Sequence, residues 1–371
     1  MPSKDYEKIA LDYAGAVVSG EILACKYTIQ TCQRQLDDLR RKDFGYYFNP
    51  LMEDRNGKEY KPGNRVCAFI EQLSHIKGDW KTPHITLEPC QIFWVMCIFG
   101  WVKPTGYRRF REAYIEVPRK NAKSTLMAGV ELYMLCADGE QGAEVYCGAR
   151  DQKQAKIVWS VAYEMAKQNR ALLEHYGLEL PKKVTTNANI AMPSTNSMFS
   201  ALSSDMGGNL DGLNIHGCVI DELHGHRSRN LYDVIISGTG SRKASLVSSI
   251  STAGSNRAGI CFEVRSYLIK LLDKVDVNES FWGIIYTIDD SDDWQDPLIW
   301  GKANPLLGIA VHVDDMQEHC AKAMSMSSQV NNFLTKRLNV WVNSGVAWMD
   351  MRAWDKCANP EMKITDFLGE D

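Results

Sequence analysis

Two short stretches carry residue types that handle phosphate. In EVPRKNAKST, residues 116–125, the pair Lys123–Ser124 stands where β-forming residues give way to a helical pattern. A phosphate-binding loop needs that order. Backbone N–H groups and the positive end of a helix converge on the anion, the lysine reaches the β- and γ-phosphates, and the serine hydroxyl ligates Mg²⁺. Measured against G-x-x-x-x-G-K-[ST], the glycine places hold Val117 and Ala122, and alanine loses little there if its φ is negative. Far downstream, HGCVIDE (216–222) is an apolar β-forming run that ends on Asp221 and Glu222. An aspartate at such a strand end holds Mg²⁺, and the adjacent glutamate takes a proton from the attacking water. Upstream, in LEPCQIFWVMCIFGW (87–101), Gln91 opens an apolar helix. Its amide donates and accepts at once, which suits the edge of an adenine.

Those residues need a scaffold, and the surrounding texture supplies one. AYIEV (113–117), EVYCGA (144–149), MFSALSS (198–204), HGCVIDE (216–222) and SLVSSIS (245–251) read as strands. Amphipathic segments such as STLMAGVELYMLCAD and QKQAKIVWSVAYEMAKQN lie between them. Strands alternating with helices imply an α/β fold with a mainly parallel sheet covered on both faces. Residues 1–78 read as a helical region, with one helix expected over Ala16–Arg41 and another around VCAFIEQLSHI. The core is expected over 79–262, and 263–371 as a helical lid or linker subdomain.

Composition narrows the class. The 371 residues are 45% hydrophobic with a formal net charge of −4, which argues against coating nucleic acid by bulk charge. No apolar run is long enough to span a bilayer, and the start lacks a signal pattern, so residence in the cytoplasm is expected. The 11 cysteines contain no C-x-x-C pair and read as reduced core thiols. His224 and His226 have no third ligand at suitable spacing and are not read as a metal pair. The run DDSDDWQD (289–296) reads as a solvated loop because five crowded carboxylates repel. Trp294, Trp300, Trp341, Trp348 and Trp354 read as core. Lys103–Lys123 holds seven Lys or Arg against two Glu, part of which must serve phosphate.

Together LEPCQIFWVMCIFGW, VPRKNAKST, CVIDELHGH and SISTAGSN resemble the adenine-reading, phosphate-loop, Asp-Glu and coupling motifs of the tailed-phage terminase large subunit, the ATPase that drives DNA into the capsid. The resemblance runs from about residue 80 through NNFLTKRLNVWVNSG, and Arg-Lys-Asn in place of a glycine-rich loop interior is shared with that family. It implies an additional-strand P-loop ATPase that binds ATP and Mg²⁺. Gln91, Arg119, Lys120, Asn121, Ala122, Lys123, Ser124, Thr125 and Thr252 would hold the nucleotide, Ser124 and Asp221 the metal. Glu222 would be the base, Arg119 would face the γ-phosphate, and Thr252 would sense it. A ring motor also needs an arginine from its neighbour. The matching stretch NLDGLN offers Asp211 instead, which leaves Arg227, Arg229 and Arg242, with Arg242 taken as the candidate. The implied partners are double-stranded DNA gripped by its phosphates, the portal protein, the small terminase subunit and copies of the same chain in a ring, docked on the procapsid in the host cytoplasm. No clustered aspartates on strands precede the end at DFLGED, so the family's nuclease is expected to be absent and the chain to be a piece of a longer protein. A helicase-like ATPase and a nucleotide-gated scaffold without turnover remain as alternatives.

Overall fold

The computed structural model describes residues 4–54, 57–78, 80, 82–183, 188–203, 212–343 and 357. Helix α1 (Tyr6–Ser19) starts where Asp5 accepts from the Lys8 N–H and stops at Gly20, whose φ of 83° ends the helical path. The helix expected over Ala16–Arg41 is therefore two helices, because glycine in a left-handed turn closes the first and α2 (Lys26–Arg40) starts afresh. Three short strands follow, β1 (Tyr47–Phe48), β2 (Met52–Glu53) and β3 (Glu59–Tyr60), then α3 (Pro62–Ile70). Helix α4 (Pro89–Gly100) opens with a proline and a capping box between Glu88 and Gln91, and leads into β4 (Trp101–Val102).

The core alternates as its pattern requires. In order come β5 (Glu112–Glu116), α5 (Lys123–Cys136), β6 (Glu144–Ala149), α6 (Gln152–Gln168), α7 (Arg170–Tyr176), β7 (Ile190–Met192), β8 (Ser197–Ser203), β9 (Ile215–Asp221), α8 (Asn230–Ser237), β10 (Leu246–Ser251), α9 (Ile260–Leu272) and β11 (Phe281–Ile285). Helices α10 (Trp300–Ala303), α11 (Val313–Ser325) and α12 (Ser327–Arg337) complete the described elements. One seven-stranded sheet runs β11-β5-β10-β9-β6-β8-β7. Every pairing in it is parallel except β7 with β8. Strand β10 lies between the strand that feeds the phosphate loop and the strand that ends in Asp221, which is the additional-strand P-loop arrangement.

One apolar core joins α1, α3, α4, α5 and α6 to one face of the sheet, including Phe93, Ile115, Met127, Cys147 and Trp159. A second joins α8 and α9 to the other face through Ile220, Ile235, Val247 and Leu268. A third is built around Trp300, Met316 and Phe333, with Ile288, Trp294 and Val340 packed against it. The N-terminal helices thus share the main core. The expected end of the sheet before 263 is corrected as well, since β11 pairs with β5 along its whole length. Ten of the eleven cysteines are buried free thiols, and Cys357 is exposed. No helix among the described residues is long and apolar enough to cross a membrane.

Candidate active site

The loop from Val117 to Ala122 leaves β5 at the carboxyl edge of the sheet. Lys120 (φ 73°) and Ala122 (φ 51°) both stand in the left-handed region. Ala122 therefore does not have the negative φ under which alanine is harmless, and a glycine at this place would relieve about 1 kcal/mol of strain. The conformation is held from behind. The buried Asn121 amide donates to Asn304 Oδ1 (3.0 Å) and accepts from the Leu306 N–H (3.2 Å). This departs from the expected nucleotide contact, because the side chain of Asn121 clasps the C-terminal region. Lys123 is buried at the start of α5, and its ammonium donates to Val117 O (2.8 Å) and Pro118 O (3.1 Å). Burial lowers it to about 8, against the pull of the Glu222 and Asp221 carboxylates.

Strand β9 delivers both acids to the same edge. Asp221 is buried and its Oδ1 accepts from the Glu222 N–H (2.9 Å). Burial and the Glu222 charge push its carboxyl above the usual range. Glu222 takes φ 49°, which turns it out of the strand direction. Burial opposes its ionisation, but the His224 hydrogen bond and the charges of Lys123 and Arg119 hold it well below the ordinary value. A carboxylate held ionised and a carboxyl pushed up by burial and by its neighbour's charge are set side by side.

Next to β9, Ser251 and Thr252 close β10. The Thr252 hydroxyl lies 3.5 Å from Glu222 Oε2 and 3.3 Å from His224 Nδ1. Gly254 allows this packing, since a Cβ there would meet His224 at 3.3 Å and Trp341 at 3.4 Å. The buried Asn339 side chain accepts from the Ala253 N–H (2.6 Å) and donates to Tyr286 O (2.7 Å).

Lys123, Ser124, Thr125, Arg119, Lys120, Ala122, Asp221, Glu222 and His224 line one cleft of ≈ 760 Å³, joined by Arg150 and Gln154 from the start of α6. Ser124 and Asp221 are oxygen donors in the lining of the same cleft, a pair that suits a hard cation such as Mg²⁺. A smaller apolar cavity adjoins the cleft, lined by Gln91, Trp80, Leu126, Leu306 and Ile309 among others, and shares Ala122 and Thr125 with it. Gln91 Oε1 takes the Glu88 N–H (3.1 Å), which leaves the two Nε2 donors and the second lone pair of Oε1 for a ligand.

Arg242 is not in this cleft. Its guanidinium donates to Asn214 Oδ1 (2.8 Å), Glu140 (2.8 Å) and the carbonyls of Gln141 and Gly142. It pins the loops at the amino edge of the sheet, away from the phosphate loop, and is committed within its own subunit. Arg229 pairs with Asp233 (2.7 Å) and Glu263, whereas Arg227 is exposed. Asp211, Trp348 and Trp354 lie outside the described residues. Trp300 and Trp341 are core, as expected. Lys302 pairs with two of the five carboxylates of the acid run, Asp289 (2.9 Å) and Asp292 (2.8 Å). Sequence reasoning missed Arg150, Gln154, Asn339 and the role of His224. The sequence signal for His224 is its place two residues after Glu222, whose carboxylate its ring meets.

Comparison with known proteins bears on the family and the fold. The model of the terminase large subunit, ATPase domain, matches residues 89–270, and that of its endonuclease domain matches 275–371. Protein YmfN of Escherichia coli K12 is 34% identical over 160 residues, or 43% of this chain and 35% of its own. The terminase large subunit of Enterobacteria phage HK97 is 27% identical over 306 residues, or 81% of this chain and 57% of its own. The crystal structure of the HK97 bacteriophage large terminase shares the fold, with a TM-score of 0.65 at 24% identity over 80% of this chain and 58% of that one. The chain thus spans between about a third and three-fifths of the relatives it matches. The endonuclease match overturns the expectation that nothing of the nuclease is present. That match starts inside the ATPase sheet, since it includes β11, and most of its end lies outside the described residues. With both domain models matched in family order and the fold shared, the chain belongs to the terminase large-subunit family.

Proposed function

We propose that this chain hydrolyses ATP and couples the reaction to movement of double-stranded DNA into a viral procapsid. The observation that carries the reading is the convergence of Lys123, Ser124, Asp221 and Glu222 on one cleft at the carboxyl edge of an additional-strand sheet. Lys123 exchanges its two loop carbonyls for β- and γ-phosphate oxygens, and Arg119 on the exposed side of the loop neutralises the γ-phosphate as charge shifts during transfer. Ser124 and Asp221 would hold Mg²⁺, which would supply neutralisation of phosphate charge. Glu222, ionised and hydrogen-bonded by His224, takes the proton of the attacking water. Thr252 reports the γ-phosphate to residues 252–254, and Asn339 ties that turn to the C-terminal region. Gln91 donates to a base acceptor, with Lys120, Ala122 and Thr125 completing the phosphate cradle. Copies of the chain form a ring that grips DNA by its phosphates, docked through the portal with the small subunit as recruiter, in the host cytoplasm.

The test is Glu222→Gln, which keeps the shape and removes the proton acceptor. Turnover is expected to fall by ~10² or more with ATP affinity retained. Hydrolysis near the wild-type rate would sink the assignment of the base. The match over 275–371 favours a second activity on the same chain, metal-dependent cleavage of DNA. Plasmid nicking that requires added Mn²⁺ and survives repurification is the outcome that supports it.

A further inference from the structure

The ring of His224 sits among partners whose hydrogen-bonding polarity is known. The Ser251 hydroxyl hydrogen is directed at Thr252 O (2.9 Å), and Ser251 Oγ also accepts from the His224 backbone N–H (3.0 Å). Toward the ring it is therefore an acceptor, 3.1 Å from Nδ1. Glu222 Oε2, also an acceptor, lies 3.0 Å from the same nitrogen. Two acceptors at Nδ1 require the proton to be there. On the opposite edge, Nε2 faces Lys336 Nζ at 3.5 Å. An ammonium has donors only, so Nε2 presents its lone pair. The tautomer is specified from both ends.

Lys336 is held in place by its own backbone, whose carbonyl accepts from the Arg119 N–H (3.2 Å). It is half-buried in the last turn of α12, and no carboxylate pairs with it among the described residues. Burial and the neighbouring Arg119 charge lower its ammonium, against the pull of Glu222.

We infer that Lys336 is a positioning residue for ATP hydrolysis, which fixes His224 in the Nδ1–H form so that His224 aims Glu222 at the attacking water. The inference rests on the ATPase reading above. Lys336 does not touch the reacting atoms, and it acts through the imidazole. It reaches the site from α12, in the part of the chain that matches the endonuclease model, so the base is oriented only while α12 is seated.

The experiment compares wild type, Lys336→Met, Lys336→Arg, His224→Ala and the Lys336→Met/His224→Ala double variant in the full chain. It reads ATP turnover, calorimetric binding of a non-hydrolysable ATP analogue, and the ring ¹⁵N shifts of His224 in histidine-labelled protein. Wild type should show the neutral Nδ1–H tautomer and Lys336→Met a mixture. Lys336→Met should lose ~10-fold or more in kcat with KM and analogue affinity within ~3-fold, and Lys336→Arg should restore most of it. The double variant should be no slower than His224→Ala by more than ~2-fold, because the two act as one unit. Wild-type kcat in Lys336→Met, or an Nε2–H tautomer in wild type, overturns the role. Loss of analogue binding with kcat unchanged also overturns it and makes Lys336 a phosphate ligand. A wild-type chain that binds the analogue without turnover sinks the ATPase reading itself, an outcome distinct from normal turnover that ignores Lys336.

Discussion

The two edges of the parallel sheet use the same cationic chemistry to opposite ends. At the amino edge, Arg108 pairs with Asp138, which also takes His216 (2.7 Å). Arg109 is fully enclosed between Asp38 (2.7 Å) and Glu279, and Arg242 is saturated by Glu140, Asn214 and loop carbonyls. At the carboxyl edge, the hydrogen bonds of the Lys123 ammonium among the described residues go to carbonyls, Arg119 is exposed, and Asp221 and Glu222 crowd each other. Paired charge braces one edge, whereas at the other the charges line an open cleft. On the ATPase reading proposed above, the contrast separates stability from function along a single set of strands.

The largest effect that could break this contrast is at the amino edge. Arg109→Ala leaves Asp38 buried without its closest cation and is expected to cost about 3–5 kcal/mol of stability. Nucleotide affinity per folded molecule should stay within ~2-fold, because Arg109 is remote from the loop and additivity holds for distant sites. Denaturant melts and calorimetry on the same sample decide, and a large affinity loss would mean that the two edges are not separable. Next in size is Lys123→Ala, expected to weaken ATP binding by ~10² or more with less change in melting temperature. Equal affinity in wild type and variant would remove the loop assignment.

A pH titration sharpens the same point because its two readouts move in opposite directions. The Lys123 ammonium is held near 8 in the folded protein, below the ordinary lysine value of 10.5. Above pH 8 the folded state carries fewer protons than the unfolded one, so this group's contribution to stability rises with pH. Binding of phosphate needs the cation, so ATP affinity should fall, by at most ~10-fold per unit above pH 8. Affinity flat from pH 7 to 9.5 would show that Lys123 is not the phosphate cation. The smallest effect is Ala122→Gly, which should raise stability by about 1 kcal/mol, read as a shift of about 2 °C in Tm.

Legibility followed range. The strands with strong β-forming runs were readable within a residue or so, as EVYCGA and β6 coincide and SLVSSIS and β10 differ by one residue. FWGII was not, because a five-residue apolar run interrupted by Gly283 fits a buried helix segment as well as a strand. The order Lys123–Ser124, then Asp221–Glu222, was local chemistry on strand ends, and it survived folding. The φ of Ala122 was not written locally; it is imposed by Asn121 reaching Asn304 and Leu306 across the chain. His224 and Lys336 were illegible for the same reason, since the meaning of each depends on a residue far away in sequence.

The clasp on Asn121 has a thermodynamic consequence. A glycine-rich loop is slack until phosphate orders it, and each residue so ordered costs about 1–2 kcal/mol of conformational entropy at the moment of binding. Here Asn121, tied to Asn304 and Leu306 on the far side, orders its stretch of the loop on folding and keeps those bonds when Lys123 changes partners. On the ATPase reading proposed above, part of the entropic cost therefore moves from the binding step to the folding step.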